Sequence, residues 1–141
     1  MKRGDAVNLF YVLKDIKIVN DMSTWEFSVK RNLITLKPEA EVFEKMREEM
    51  NTERIRVAEL YCDKDDDGHP ILERDGDLEK YKMSSDGIAK FNAEFKKKID
   101  EVNEIFGADL PDLVLCTPSE KDVPEYIKED LKKKLELMIK K

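Results

Sequence analysis

Apolar residues recur at intervals of three and four along most of this chain, the spacing that places them on one face of an α-helix. They follow Asp5, which suits a helix N-cap, and predict a first helix from residue 5 to about residue 17. Residues 20–23 break the pattern. Ser23 or Thr24 is then expected to cap a second helix, whose apolar run ends at Leu36.

Two longer periodic stretches follow, and we predict that they pair as antiparallel helices over residues 38–62 and 84–106. Pro38 is expected to restart or kink the chain, because proline is tolerated in the first turn of a helix and disfavoured in its interior. Ser84–Ser85–Asp86 is a dense capping signal at the start of the second long helix. Phe43 and Phe91 lie on the apolar stripes that we expect to face each other.

The segment between the long helices has the signature of a β-hairpin, predicted over residues 67–83. Asp75–Gly76 is a dipeptide that supplies the positive φ angles of a tight turn. The register stays open, because a two-residue turn and a bulged three-residue turn place different residues opposite each other. Further along, Leu113–Cys116 is apolar and reads as a short strand, and a capping signal at 122–125 predicts a C-terminal helix over residues 122–140.

Together these elements predict a mainly α fold with a small β-hairpin. The expected arrangement is an antiparallel helical hairpin or bundle with a β-hairpin connection and flanking terminal helices. The length of 141 residues fits one domain over residues 1–141, since no linker-like stretch divides the chain. A chain of this size buries enough apolar surface to fold without disulfides or metals.

Charge is abundant and unevenly spread along the chain. Charged residues make up 41% of the sequence, and the formal net charge is −6. The net charge is +3 over residues 1–37, −7 over residues 38–83 and −2 over residues 84–141. The acidic middle argues against direct nucleic-acid binding, which rests on clustered Lys and Arg. A protein partner fits this charge distribution better.

The sequence offers no membrane or disulfide signal. No apolar run approaches the roughly 18 residues that a membrane span needs. Cys62 and Cys116 have neither CxxC nor Cys/His spacing, so free thiols are expected, although the two would meet if the 113–116 strand packed near the base of the hairpin. We expect a cytoplasmic protein without a membrane partner.

The acidic segment before the hairpin resembles the start of an EF-hand calcium loop. Asp63, Asp65 and Asp67 fall at loop positions one, three and five, with Gly68 at position six. Arg74 occupies the position of the bidentate glutamate, and a strand rather than a helix is expected to follow. We interpret the segment as an acidic turn, with a weak calcium site on these three aspartates as the alternative. No cofactor is expected.

The candidates for catalysis are few. His69 is the only histidine, and it lies in a turn beside a proline, where no spacing pairs it with Cys62 or an aspartate. We therefore expect a protein without enzymatic activity.

Two groups of residues are candidates for partner binding. Trp25 and Phe27 form the first, because aromatic residues dominate binding hot spots, with core packing as their alternative use. The second group is the tip of the acidic turn, which contributes Asp65, Asp66, Asp67 and His69.

The order of these signals resembles small, mostly uncharacterised proteins encoded by tailed bacteriophages and prophages. The likeness rests on Leu36–Glu39 before a long helix, on the acidic turn Asp65–Ile71 and on the ending Leu135–Ile139. The core of helix, hairpin and helix is also similar in architecture to prefoldin-type subunits. The resemblance implies a phage gene product that acts through protein contacts in the host cytoplasm or on the virion.

The function that these observations favour is a non-enzymatic protein-interaction module with an assembly, structural or accessory role. Its partner would be a second copy of the chain or a host protein. One alternative is an inhibitor that binds a host defence or nucleic-acid-processing protein through the acidic segment. A calcium-binding module is the third interpretation.

Overall fold

The computed structural model describes all 141 residues, and the protein is mainly helical. Two strands form an antiparallel hairpin, so the predicted fold class is confirmed. No helix combines the length and the apolar character that crossing a bilayer requires. In chain order the elements are α1 (Arg3–Lys14), α2 (Thr24–Tyr61), β1 (Leu72–Asp75), β2 (Leu78–Tyr81), α3 (Ser85–Gly107) and α4 (Glu129–Lys134), with 3₁₀ turns at Glu120–Asp122 and Glu136–Met138.

The chain divides into two compact units. The first contains residues 1–44 together with residues 105–141, and the second contains residues 45–104. The first unit is therefore built from both ends of the described chain, and the second is one continuous segment. The single domain expected over residues 1–141 stays a prediction.

The core of the first unit brings together α1, the first part of α2 and the C-terminal segment. The α1 helix begins at Arg3 rather than Asp5, which lies in the first turn, where a carboxylate favours the positive end of the helix dipole. Ser23 caps α2 as expected, since its Oγ accepts the Glu26 N–H at 3.2 Å. The core residues are Ala6, Leu9, Leu13, Ile16, Trp25, Val29, Leu36, Ile127, Leu135 and Met138.

The α2 helix runs unbroken through Pro38, so the restart of the chain predicted at this residue is wrong. Proline lacks an N–H, which leaves the Ile34 carbonyl without its intrahelical donor. The Ile34 side chain is 67% exposed, so this turn faces water, which satisfies a free carbonyl. Leu36 and Ala40 on either side of Pro38 are buried, and their packing holds the helix together across the proline.

In the second unit the end of α2 and α3 form the predicted antiparallel pair. Lys98 Nζ lies 3.4 Å from Glu49 Oε2, and Arg56 Nη2 lies 3.8 Å from Glu94 Oε1. Residue numbers therefore fall along α3 as they rise along α2, as antiparallel helices require. A Cβ on Gly87 would lie 2.6 Å from the Tyr61 carbonyl oxygen, so only glycine permits this close approach.

The helix pair differs from the prediction in the partners of its aromatic side chains. Phe43 packs edge-on against Phe106, with ring centroids 5.8 Å apart, and also against Tyr11 at 5.9 Å. Phe91 stacks on Phe95 at 5.6 Å. Phe43 and Phe91 therefore pack against other aromatic rings and not against each other, which differs from the face-to-face arrangement expected of their stripes. Periodicity predicts which face of a helix is apolar, but it does not set the offset between two helices.

The hairpin predicted over residues 67–83 is confirmed, with shorter strands. Asp75 pairs with Leu78, so the two turn residues are Gly76 and Asp77, one position later than the Asp75–Gly76 turn considered from the sequence. Gly76 has a φ of +65°, as a tight turn with glycine in its first central position requires.

The C-terminal segment differs most from the prediction. The helix expected over residues 122–140 is wrong, because the only α-helix in this range is α4, from Glu129 to Lys134. Ser119 and Asp122 close a capping box on a single 3₁₀ turn that ends at Val123, immediately before Pro124. The end of the segment lies beside its beginning, since the Lys140 N–H donates to the Pro118 carbonyl at 2.8 Å.

Leu113–Cys116 does not form the predicted strand. The side chain of Asn32, which is fully buried, takes the place of a neighbouring strand. Its Oδ1 accepts the Cys116 N–H at 2.7 Å, and its Nδ2 donates to the Cys116 carbonyl at 2.9 Å. Both backbone groups of Cys116 are thereby satisfied without a β-ladder.

Candidate protein-interaction surface

The acidic hairpin, residues 63–82, is fastened to the end of α2 through its base. The Asp63 N–H donates to the Lys82 carbonyl at 2.8 Å, and the Asp63 carbonyl accepts the Ile71 N–H at 2.9 Å. The Tyr81 hydroxyl donates to Glu59 Oε1 on α2 at 3.2 Å. Burial, followed by the hydrogen bond to Glu59, raises the pKa of Tyr81. These bonds hold in place a two-stranded hairpin that would be marginally stable in isolation.

The turn that precedes the strands is organised by one carboxylate. Asp65 Oδ1 accepts the backbone N–H groups of Asp67 at 3.0 Å and His69 at 2.9 Å. The Asp65 N–H donates to the His69 carbonyl at 2.9 Å, and Gly68 adopts a φ of +82°. Asp65 therefore stabilises the turn, and the side chains of Asp66, Asp67 and His69 are displayed around it, all of them on exposed residues.

This geometry differs from an EF-hand. Of the three aspartates predicted as calcium ligands, Asp63 lies apart from the other two, because its backbone forms the base of the hairpin. The residues whose potential ligand atoms lie within 4.8 Å of one another are Asp65, Asp67 and His69. The strand β1 follows the loop, as the sequence analysis expects, whereas an EF-hand continues as a helix. All three clustered side chains are exposed, and one oxygen of Asp65 is already engaged by the backbone.

Exposed negative charge distinguishes the acidic hairpin from the rest of the protein. Residues 63–82 contain eight acidic and four basic side chains, for a net charge of −4. The cross-strand ion pairs Arg74–Glu79 at 3.6 Å and Lys80–Asp75 at 3.9 Å are exposed to water, where such pairs contribute little to stability. Every residue from 72 to 80 is exposed.

Leu78 is the apolar centre of the outward face of this hairpin. The register places Leu78 directly opposite Asp75, with Glu73 and Lys80 on the same face. The other face carries Tyr81, whose hydroxyl reaches Glu59 of α2, so the Leu78 face is turned away from the helix. The Leu78 side chain is 73% exposed. Sequence analysis missed Leu78 because its face follows only from the register.

The two aromatic candidates have opposite environments. Trp25 is 1% exposed and lies in the core of the first unit, so its assignment as a partner contact is replaced by the alternative of core packing. Its indole N–H has no hydrogen-bond partner within the protein. Phe27, two residues along the same helix, is 65% exposed. Phe27 therefore remains available to a partner.

Phe27 belongs to a second exposed surface, which we call the α2 basic face and define by Phe27, Lys30, Arg31, Ile34 and Lys37. Spacings of three and four place these residues on one side of α2, and all five are exposed. Lys30 pairs with Glu26 at 2.9 Å. Ile34, at 67% exposure, is a further contact candidate, which sequence analysis included only in the apolar run that ends at Leu36.

The two cysteines are free thiols, as expected. Cys62 is buried in the second unit, and Cys116 is half-buried in the first. His69 lies in the exposed turn, with its Nδ1 3.9 Å from Asp65 Oδ2. The Cys62 thiol donates to the Glu59 carbonyl at 3.6 Å.

Comparisons with protein-family models, with curated proteins and with solved structures give no match to the chain.

Proposed function

We propose that the protein is a non-enzymatic protein-interaction module and that the acidic hairpin is its main contact surface. The observation that supports this proposal is that the hairpin is held in place by hydrogen bonds although little of its surface packs against the rest of the protein. Residues 72–80 are all exposed, yet the base of the hairpin is fixed by hydrogen bonds through Asp63 and Tyr81. A preorganised element loses less conformational entropy on binding than a disordered loop does.

The chemistry of the hairpin points to a basic protein surface as its target. Its net charge of −4 favours encounter with Lys and Arg side chains, and Leu78 offers an apolar contact at the centre of the outward face. Such a complex gains association rate and orientation from charge and gains stability from the leucine. The role that fits this surface is assembly or accessory binding.

Paired charge reversals test this proposal. The D75K/D77K variant changes the net charge by +4 on the hairpin, and D112K/E125K makes the same change on exposed residues of the first unit. Asp65 is left intact because its carboxylate holds the turn. Both variants should keep the wild-type circular dichroism spectrum, since the ion pair that Asp75 loses is exposed.

The readout is capture of binding proteins from host-cell extract on immobilised protein, with quantification by mass spectrometry. We expect D75K/D77K to lose proteins that wild type and D112K/E125K both retain. Retention should also fall as salt is raised, because exposed charges are screened within about 10 Å at 0.1 M salt. Equal capture by all three proteins would refute the hairpin as the contact surface.

An inhibitor of a nucleic-acid-binding protein is the second candidate function. Carboxylates spread over the turn and both strands present a row of negative charges, as a phosphate backbone does. If this candidate is right, a captured protein should release the wild-type chain when a DNA or RNA duplex is added. Retention of the chain at saturating nucleic acid would favour the assembly role instead.

A further inference from the structure

The α2 basic face and the acidic hairpin have complementary properties. The first carries three basic residues around two exposed apolar side chains, Phe27 at 65% and Ile34 at 67% exposure. The second carries a net charge of −4 around Leu78 at 73% exposure. Each surface therefore surrounds an apolar centre with a net charge, and the two net charges have opposite signs.

We propose that the α2 basic face of one copy binds the acidic hairpin of a second copy. This inference rests on the proposed function, because it names the partner of the same hairpin. Leu78 would contact Phe27 and Ile34, and the carboxylates around it would face Arg31 and Lys37.

Charge complementarity favours this occupant over an unrelated one. Residues 1–37 carry a net charge of +3 within a chain whose total is −6, so the α2 basic face lies in a positively charged part of an acidic protein. Lys30 is partly neutralised by Glu26, which lies 2.9 Å away. Arg31 and Lys37 are both exposed and belong to no ion pair within the chain, so their charge remains directed at a partner.

The spacing on α2 suits a single apolar residue of the hairpin. Phe27 and Ile34 are seven residues apart, which is two helical turns and about 10 Å along the axis. The gap between them is wide enough to seat one leucine side chain, with Arg31 at its edge.

A contact between two different surfaces is heterologous and leaves one surface of each kind unoccupied in a dimer. Repetition of the contact gives rings when the rotation closes and open chains when it does not. The association should therefore increase with concentration beyond the dimer. It should also weaken with salt, because the charges on both surfaces are exposed.

Sedimentation equilibrium of the purified full chain tests the proposal. At about 50 mM salt we expect the average mass to rise over a range of about 10 µM to 1 mM protein, and we expect about 500 mM salt to weaken association about tenfold. The variant F27S/I34S should lower the association constant about tenfold or more, while V114S, at a residue 79% exposed elsewhere in the first unit, should leave it unchanged.

A mixing experiment separates complementary contact from general repulsion. R31E/K37E makes the α2 basic face acidic, and D75K/D77K changes the net charge of residues 72–80, the strands and turn around Leu78, from −2 to +2. Each variant alone should be monomeric, because the α2 face and residues 72–80 then carry the same sign of charge. An equimolar mixture should associate again, since each altered surface meets an opposite one. K133E/K134E, which makes the same charge change as R31E/K37E on α4, should associate as wild type does.

The result that overturns the inference is a wild-type chain that stays monomeric to millimolar concentration, or a mixture of the two variants that stays monomeric although wild type associates. Failure of this kind is distinct from failure of the proposed function. A monomeric chain whose hairpin still captures other proteins, and loses them on D75K/D77K substitution, would refute only the second copy as partner.

Discussion

Replacement of Asn32 by aspartate tests the buried hydrogen bonds that hold the Leu113–Cys116 segment. The Asn32 side chain is fully buried, accepts the Cys116 N–H at 2.7 Å and donates to the Cys116 carbonyl at 2.9 Å. An ionised aspartate keeps the acceptor but turns the donor into a second oxygen that faces a carbonyl. A protonated aspartic acid restores the donor as an O–H.

The expected magnitude follows from burial and from this lost donor. Burial of a charge opposite a carbonyl oxygen should raise the pKa of the introduced carboxyl group in folded N32D above its value of about 3.9 in the unfolded chain. The unfolded chain then loses its proton first as the pH rises, so the free energy of unfolding falls between the two pKa values. The fall is about 1.4 kcal/mol for each unit by which they differ, and we expect a loss of about 3 kcal/mol at pH 7.

Urea unfolding monitored by tryptophan fluorescence measures this loss. Trp25 is the only tryptophan and is 1% exposed in the core of the unit that contains Asn32, so it reports on that unit directly. We expect N32D to approach wild-type stability near pH 4, to lose stability up to about pH 6 and to level off by pH 7. The control N8D places the same change on an exposed residue of α1 and should follow wild type throughout.

The refuting result is a difference between N32D and wild type that is the same at pH 4 and pH 7. N32A completes the set, because it removes both hydrogen bonds at every pH and should cost about 2–4 kcal/mol without pH dependence.

Three further predictions follow from packing and from the acidic turn. G87A should destabilise the protein by about 1–3 kcal/mol in thermal unfolding, because its Cβ would lie 2.6 Å from the Tyr61 carbonyl oxygen. The control G107A should not destabilise it, since a Cβ there meets nothing within 4 Å, and equal effects of the two variants would contradict the close approach. L135A should cost about 2–5 kcal/mol by urea unfolding, since this side chain is fully buried, and a loss below about 1 kcal/mol would exclude it from the core. Millimolar Ca²⁺ should leave the melting temperature unchanged, because Asp65 Oδ1 is already engaged by the Asp67 and His69 N–H groups; a rise of several degrees would establish a site.

The elements that the sequence predicted well are those whose signals are local. Helical periodicity, the Ser23 cap and the turn glycine at 76 each depend on a few neighbouring residues, and all three appear in the structure. The acidic tip was also found, because a run of charged residues beside turn formers is seldom buried.

The predictions that failed depended on distant partners. Pro38 stays within α2 because Leu36 and Ala40 are buried by other segments, and the 113–116 strand is replaced by bonds from Asn32, which lies 84 residues away from Cys116. Trp25 and Phe27, which the sequence offered together as partner contacts, have opposite environments for a similar reason, since both lie on α2 and only the packing of the first unit decides which side is covered.

The discontinuous first unit has a consequence for synthesis on the ribosome. Its core needs Leu135 and Met138, yet the 60 residues of the second unit are translated between its two halves. At a translation rate of about 5–20 residues per second, the apolar side chains of α1 remain without their C-terminal partners for roughly 3–12 s longer than they would in a chain without that insertion. The nascent chain therefore presents this surface to chaperones while the continuous second unit can already fold.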